Sequence, residues 1–126
     1  MRTLQLIIGA LALLQGGWFV ADGSRALIAG DYVTPDSGAR AGQLGPWARI
    51  VSAAGFEPRS IFIKSLHVTL GIAWLLALAV FAVRPTFGWW ALLSCAAGTL
   101  WYVPIGTIVG AIVIVLLLTP HLRGLS

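Results

Sequence analysis

Apolar residues in this chain come in long unbroken runs instead of alternating with polar ones. The first run extends from Leu4 to Ala21 behind Met1 and Arg2. Its flanks read as an uncleaved helix. Cutting after Ala21 would put bulky Phe19 at the −3 position, and the better Ser24/Ala26 pair lies beyond the apolar stretch. The helix is expected to continue past Asp22 and Arg25 to Gly30, a residue suited to the left-handed position that ends helices. Such a helix over residues 3–29, at ~1.5 Å per residue, is long enough to cross ~30 Å of hydrocarbon.

The second run, Ile61 to Val83, has Pro58 suited to a first helical turn and Pro85 forcing an end, so a span is expected over 58–83. The third, Phe87 to Leu118, is too long for one helix and is interrupted by Pro104. The pattern splits it into spans over 86–102, with Thr86 as N-cap, and 104–119, with Pro120 just beyond. Each is ~24 Å long, short for a bilayer. One kinked helix or a re-entrant pair are the alternatives.

Most of the polarity lies in the loop over 30–57. Asp31 to Gly45 is rich in Gly, Pro and Asp and reads as irregular. Pro46 to Gly55 differs, because Trp47, Ile50, Val51 and Ala54 recur at helical spacing between a proline start and a glycine stop. A short amphipathic helix over 46–55, lying at the membrane interface or capping the bundle, is expected there.

Composition agrees with the pattern. Of 126 residues, 59% are hydrophobic and 10% charged, and the mean hydropathy is +0.94, against about 25% charged in soluble domains. The expectation is a single all-α integral membrane domain, 1–126, with four transmembrane helices. One cysteine, Cys95, excludes an intrachain disulfide, a CxxC redox pair and a cysteine-rich metal site. The net charge of +4 comes from scattered cations beside apolar runs, not from a basic patch, so no nucleic-acid partner is expected.

With four spans, Arg2, Arg84 and Arg123 share one side, and Arg25, Arg40, Arg49, Arg59 and Lys64 share the other. A strict Lys/Arg count favours a cytoplasmic loop. The basic residue ahead of the first helix and the dilution of the other cations over a long loop favour cytoplasmic termini, and that orientation is the one expected. The chain has the general look of small four-span bacterial membrane proteins, so the bacterial cytoplasmic membrane is the expected location.

Polar groups inside a bilayer are costly and mark candidate sites. Lys64 and His67 share a face near the loop end of the second span, and Asp22 lies at the matching end of the first. An Asp22–Lys64 or Asp22–His67 pair would tie the two helices together. One reading is a proton or ion site using His67; the other is a snorkelling lysine and a structurally hydrogen-bonded histidine. His67 and His121 fall at opposite ends, so one chain offers no bis-histidine haem site. The span centres carry Gln15, Thr69, Ser94, Cys95, Thr99 and Thr107 but no carboxylate. No nucleophile motif, phosphate loop or metal-ligand cluster occurs, so no catalytic residue, metal or cofactor is expected.

Packing chemistry is plentiful by contrast. Gly9 and Gly16 line one side of the first span, Gly71 and Gly98 serve the second and third, and Gly106 and Gly110 form GxxxG in the fourth. Trp18, Trp47, Trp89, Trp90, Trp101 and Tyr102 collect where spans meet water and read as interfacial anchors, whereas Trp74 falls deep in the bilayer. The function expected is therefore a non-catalytic membrane subunit packing against a larger complex or itself. The alternative is a small channel or carrier with a polar path at Asp22, Lys64 and His67. Membrane lipid, other membrane subunits or further copies of the chain are the expected partners.

Overall fold

A computed structural model describes residues 2–34 and 42–124. Arg40 and the middle of the predicted loop lie outside the described residues. Among these residues six helices follow in order: α1 (Arg2–Ala29), α2 (Trp47–Ala53), α3 (Ile61–Val83), α4 (Pro85–Gly98), α5 (Ile105–Leu117) and α6 (Pro120–Arg123). No strand occurs among the described residues. Two helices, α1 and α3, are long and apolar enough to cross a membrane.

The four longer helices close into a ring. α1 packs along α3, α3 on α4, α4 on α5, and α5 returns to α1. α1 ends where expected: the Gly30 amide still donates to the Ala26 carbonyl at 3.1 Å, and Gly30 then turns left-handed at φ +97°. The α3 start lies later than predicted. Ser60 caps it, its hydroxyl accepting from the Ile63 N–H at 3.3 Å, and Pro58 stays outside. α3 stops at Val83 because Pro85 follows, and Pro85 itself occupies the first turn of α4. Thr86 is therefore inside α4 and not its cap.

The expected third span overshoots by a turn. Thr99, after Gly98, turns its hydroxyl back onto the Cys95 carbonyl at 2.8 Å, and residues 99–104 fold as a tight turn with the Tyr102 N–H on the Thr99 carbonyl at 3.1 Å. α4 and α5 are thus 14 and 13 residues long, about 21 and 20 Å.

Glycine sets how closely these helices approach. A Cβ at Gly16 would lie 2.9 Å from Leu75 carbons, and one at Gly71 would lie 2.7 Å from the Gly16 carbonyl oxygen. Gly110 faces the Ala96 carbonyl oxygen, and Gly106 faces the Thr99 carbonyl and the Tyr102 Cβ. The GxxxG pair therefore docks α5 onto the end of α4 within one chain. Gly98 is corrected: nothing lies within 4 Å of its Cβ position, because it faces out of the bundle. Gly9 meets Leu78 only at ordinary contact distance, 3.7 Å. Two close approaches were not anticipated, Gly23 on the His67–Val68 backbone and Gly88 on Phe81.

Candidate functional site

Five segments converge at the loop end of the ring. α1 brings Trp18, Phe19 and Asp22; the strand-less stretch after it brings Tyr32; α2 brings Trp47; α3 brings Lys64 and His67; the 99–104 turn brings Trp101 and Tyr102. α2 is shorter than predicted and caps the bundle end, with Trp47 and Val51 turned inward and Ile50 exposed. The left-handed Gly55, φ +95°, closes it.

His67 is the hub. Its ring centroid lies 4.7 Å from Trp47, 4.8 Å from Tyr32, 5.3 Å from Phe19, 5.5 Å from Tyr102 and 5.8 Å from Trp101. Most of these contacts are edge-to-face, the geometry that aromatic quadrupoles favour. A carbonyl only accepts, so His67 Nδ1, 2.9 Å from the Ile63 carbonyl oxygen, carries the proton and donates. Nε2 is then a buried lone pair with no partner among the described residues.

The predicted Asp22–Lys64 and Asp22–His67 pairs do not form. The Lys64 ammonium instead donates to the Gly30 carbonyl at 2.8 Å, and Asp22 Oδ1 accepts from the Val33 N–H at 2.6 Å. Both side chains fasten the chain leaving α1 back onto the helix pair. The reason is local: that stretch supplies an orphan helix-end carbonyl and an amide closer than the two side chains are to each other. The ion pair formed among the described residues is Arg59 to Asp31 at 3.0 Å, on the surface. Slight burial raises the Asp31 pKa, but the Arg59 and Tyr32 N–H hydrogen bonds outweigh it and hold the carboxyl below its ordinary value. Burial, helped by the Asp22 carboxylate, pushes the Tyr32 phenol well up, so it remains a donor, here to the Pro58 carbonyl at 2.8 Å.

Three expected interfacial anchors are corrected. Trp47, Trp89 and Tyr102 are buried in the core, because each polar tip or ring finds a protein partner. Trp89 Nε1 donates to the Leu117 carbonyl at 2.9 Å, Tyr102 O–H accepts from Trp18 Nε1 at 2.7 Å, and Trp47 packs on His67. Trp18 and Trp90 are exposed, and Trp101 is half-buried. Tyr32 and Phe19 were not anticipated as box walls. For Phe19 the signal was present: it sits four residues from Gln15 and three from Asp22, on the face those two polar residues mark.

Beside this aromatic cluster, Trp18, Asp22, Tyr32, Trp47, Tyr102 and Pro104 form half the lining of a partly open cavity of ≈ 280 Å³, the rest coming from residues 33, 43–45, 103 and 105. The hydroxyls expected at span centres are spent locally, and Thr99, past the end of α4, and Thr107, in the first turn of α5, lie at the loop end instead of mid-helix. Thr69 donates to Ser65, Ser94 to Trp90, Thr99 to Cys95 and Thr107 to Leu100, always to a backbone carbonyl. Gln15 and the Trp74 indole are fully buried with polar atoms unpartnered among the described residues. No group of three or more His, Cys, Asp or Glu able to hold a metal occurs among the described residues.

Compared with family models, curated proteins and solved structures, the chain matches none.

Proposed function

We propose that the chain is a non-catalytic integral membrane protein, a four-span bundle that packs against a larger membrane complex or against further copies of itself. The observation that carries this reading is the local consumption of hydroxyl groups. The hydroxyls of Thr69, Ser94, Thr99 and Thr107 each donate to a nearby backbone carbonyl, so none of the four keeps a free donor for a solute. The four-span reading rests on the ring itself. α4 and α5 run beside α1 and α3, the Trp89–Leu117 bond joins them at one end, and the Trp18–Tyr102 bond joins α1 to the intervening turn at the other. If α1 and α3 cross a bilayer, α4 and α5 lie at the same depth, and their short length is met by local thinning or tilt. The bacterial cytoplasmic membrane, with cytoplasmic termini and the 30–57 loop opposite, is the proposed setting.

The test is purification from native membranes in mild detergent with mass determination of the intact particle. A stoichiometric larger complex or a homo-oligomer is the expected result. A monomer that supports solute flux in liposomes would overturn the reading in favour of a small channel or carrier at the Asp22, Lys64 and His67 end.

A further inference from the structure

At the loop end, a carboxylate and four aromatic side chains face one small space. Asp22 is 3% exposed. One oxygen accepts from Val33, and the other has no hydrogen-bond partner among the described residues. Among the described residues no ion pair neutralises it; Arg25, one turn along α1, is exposed and acts on it only through space. A carboxylate held by one backbone hydrogen bond and lining a partly open cavity is a ready countercharge for a cation that enters it.

The walls are suited to an organic cation. Trp18, Tyr32, Trp47 and Tyr102 come from three helical or turn segments and the chain after α1, and they are locked against one another. Trp18 Nε1 donates to Tyr102 O–H at 2.7 Å, Tyr32 and Trp47 meet edge-on at 5.1 Å, and Trp47 and Tyr102 lie 5.6 Å apart. Rings held in this way need little ordering when a cation binds beside them. The cavity, ≈ 280 Å³, sits at the small end of ligand pockets. That size suits a compact head group and not a large amphiphile. A hydrated metal ion would leave the aromatic walls unused. A methylated ammonium uses both the walls and the charge, because its positive surface is apolar enough to sit against rings.

We propose that this aromatic cavity binds a quaternary ammonium group, with Asp22 supplying the countercharge and Trp18, Tyr32, Trp47 and Tyr102 the cation–π walls. The group is carried either by a free small molecule or by a lipid head group. The cavity opens where α1 and α3 leave their apolar stretches, which in a bilayer is head-group depth. The proposal does not depend on which partner the bundle packs against.

The full chain in maltoside detergent, which has no cationic head, is titrated calorimetrically with choline and with 3,3-dimethylbutan-1-ol, its uncharged isostere. Choline is expected to bind at least about tenfold tighter than the alcohol. Asp22→Asn keeps the acceptor for Val33 and removes the charge, so it is expected to weaken choline by about tenfold or more with an unchanged circular dichroism spectrum. Equal binding of choline and the alcohol, no binding of choline, or undiminished choline binding by a folded Asp22→Asn variant would overturn the proposal. The isostere comparison on the unmodified chain decides the matter even if the variant does not fold. Repeating the titration in anionic nanodiscs with added phosphatidylcholine separates the sources. Competition assigns the site to a lipid head group, and its absence assigns it to a free cation.

Discussion

A Cβ at position 71 would lie 2.7 Å from both the Gly16 carbonyl oxygen and the Val20 amide nitrogen, and 2.6 Å from a Val20 methyl. Two of those neighbours are backbone, so they yield only if α1 and α3 separate. Gly71→Ala is expected to destabilise the bundle by about 1–3 kcal/mol through overpacking, read as a lower melting temperature in detergent. Gly98→Ala, with nothing within 4 Å of its Cβ position, is expected to leave the melting temperature unchanged or slightly raised, since alanine favours helix over glycine. Equal effects at the two positions would contradict the close approach of α1 and α3. Both glycines read alike in the sequence as small residues in an apolar run; only the neighbour across the interface distinguishes them. The same holds for Asp22 and Lys64. Their shared end of the bundle was legible from spacing, but their partners were not, because Val33 and Gly30 enter through the path of the chain after α1. Gln15, His67 and Trp74 keep polar atoms in the interior without a partner among the described residues.

Helix existence was legible because run length and proline position decide it, and the ends were less so. Gly30 and Pro85 acted as read, whereas Ser60 displaced Pro58 at the start of α3 and Thr99 shortened α4 by bonding back to Cys95. Which face turns inward is harder to see when all faces are apolar. Hydrophobic contrast is absent, and the interior is marked instead by the polar and small residues Ala12, Gln15, Asp22 and Ala26, which with Ile8 and Phe19 are buried along α1 at spacings of three and four. Gly106 and Gly110 mark the α5 face in the same way, and their contacts with Thr99 and Ala96 show that the motif serves α4–α5 packing. Gly110→Leu is accordingly expected to part α5 from α4 and break the Trp89–Leu117 bond. Near-ultraviolet circular dichroism would lose tryptophan signal while the far-ultraviolet helix signal is largely retained. A variant with both spectra unchanged would show that α5 packs elsewhere.

For the molecule as a whole, the ring of α1, α3, α4 and α5 places residues 30–34 and 42–57 and the 99–104 turn at one end, and the Arg84 turn and α6 at the other. Tyr102 against Trp18 and Trp47 is the contact that fixes this, and it also builds the aromatic cavity, so bundle and site stand or fall together. The most direct measurement is sided labelling with a membrane-impermeant maleimide in sealed vesicles. Glu57→Cys, Thr86→Cys and Ile105→Cys, each exposed, are made singly in a Cys95→Ser background. A four-span bundle predicts that positions 57 and 105 react from one face and position 86 only from the other. Reaction of position 105 from the same face as position 86, or of all three from one face, would contradict the account.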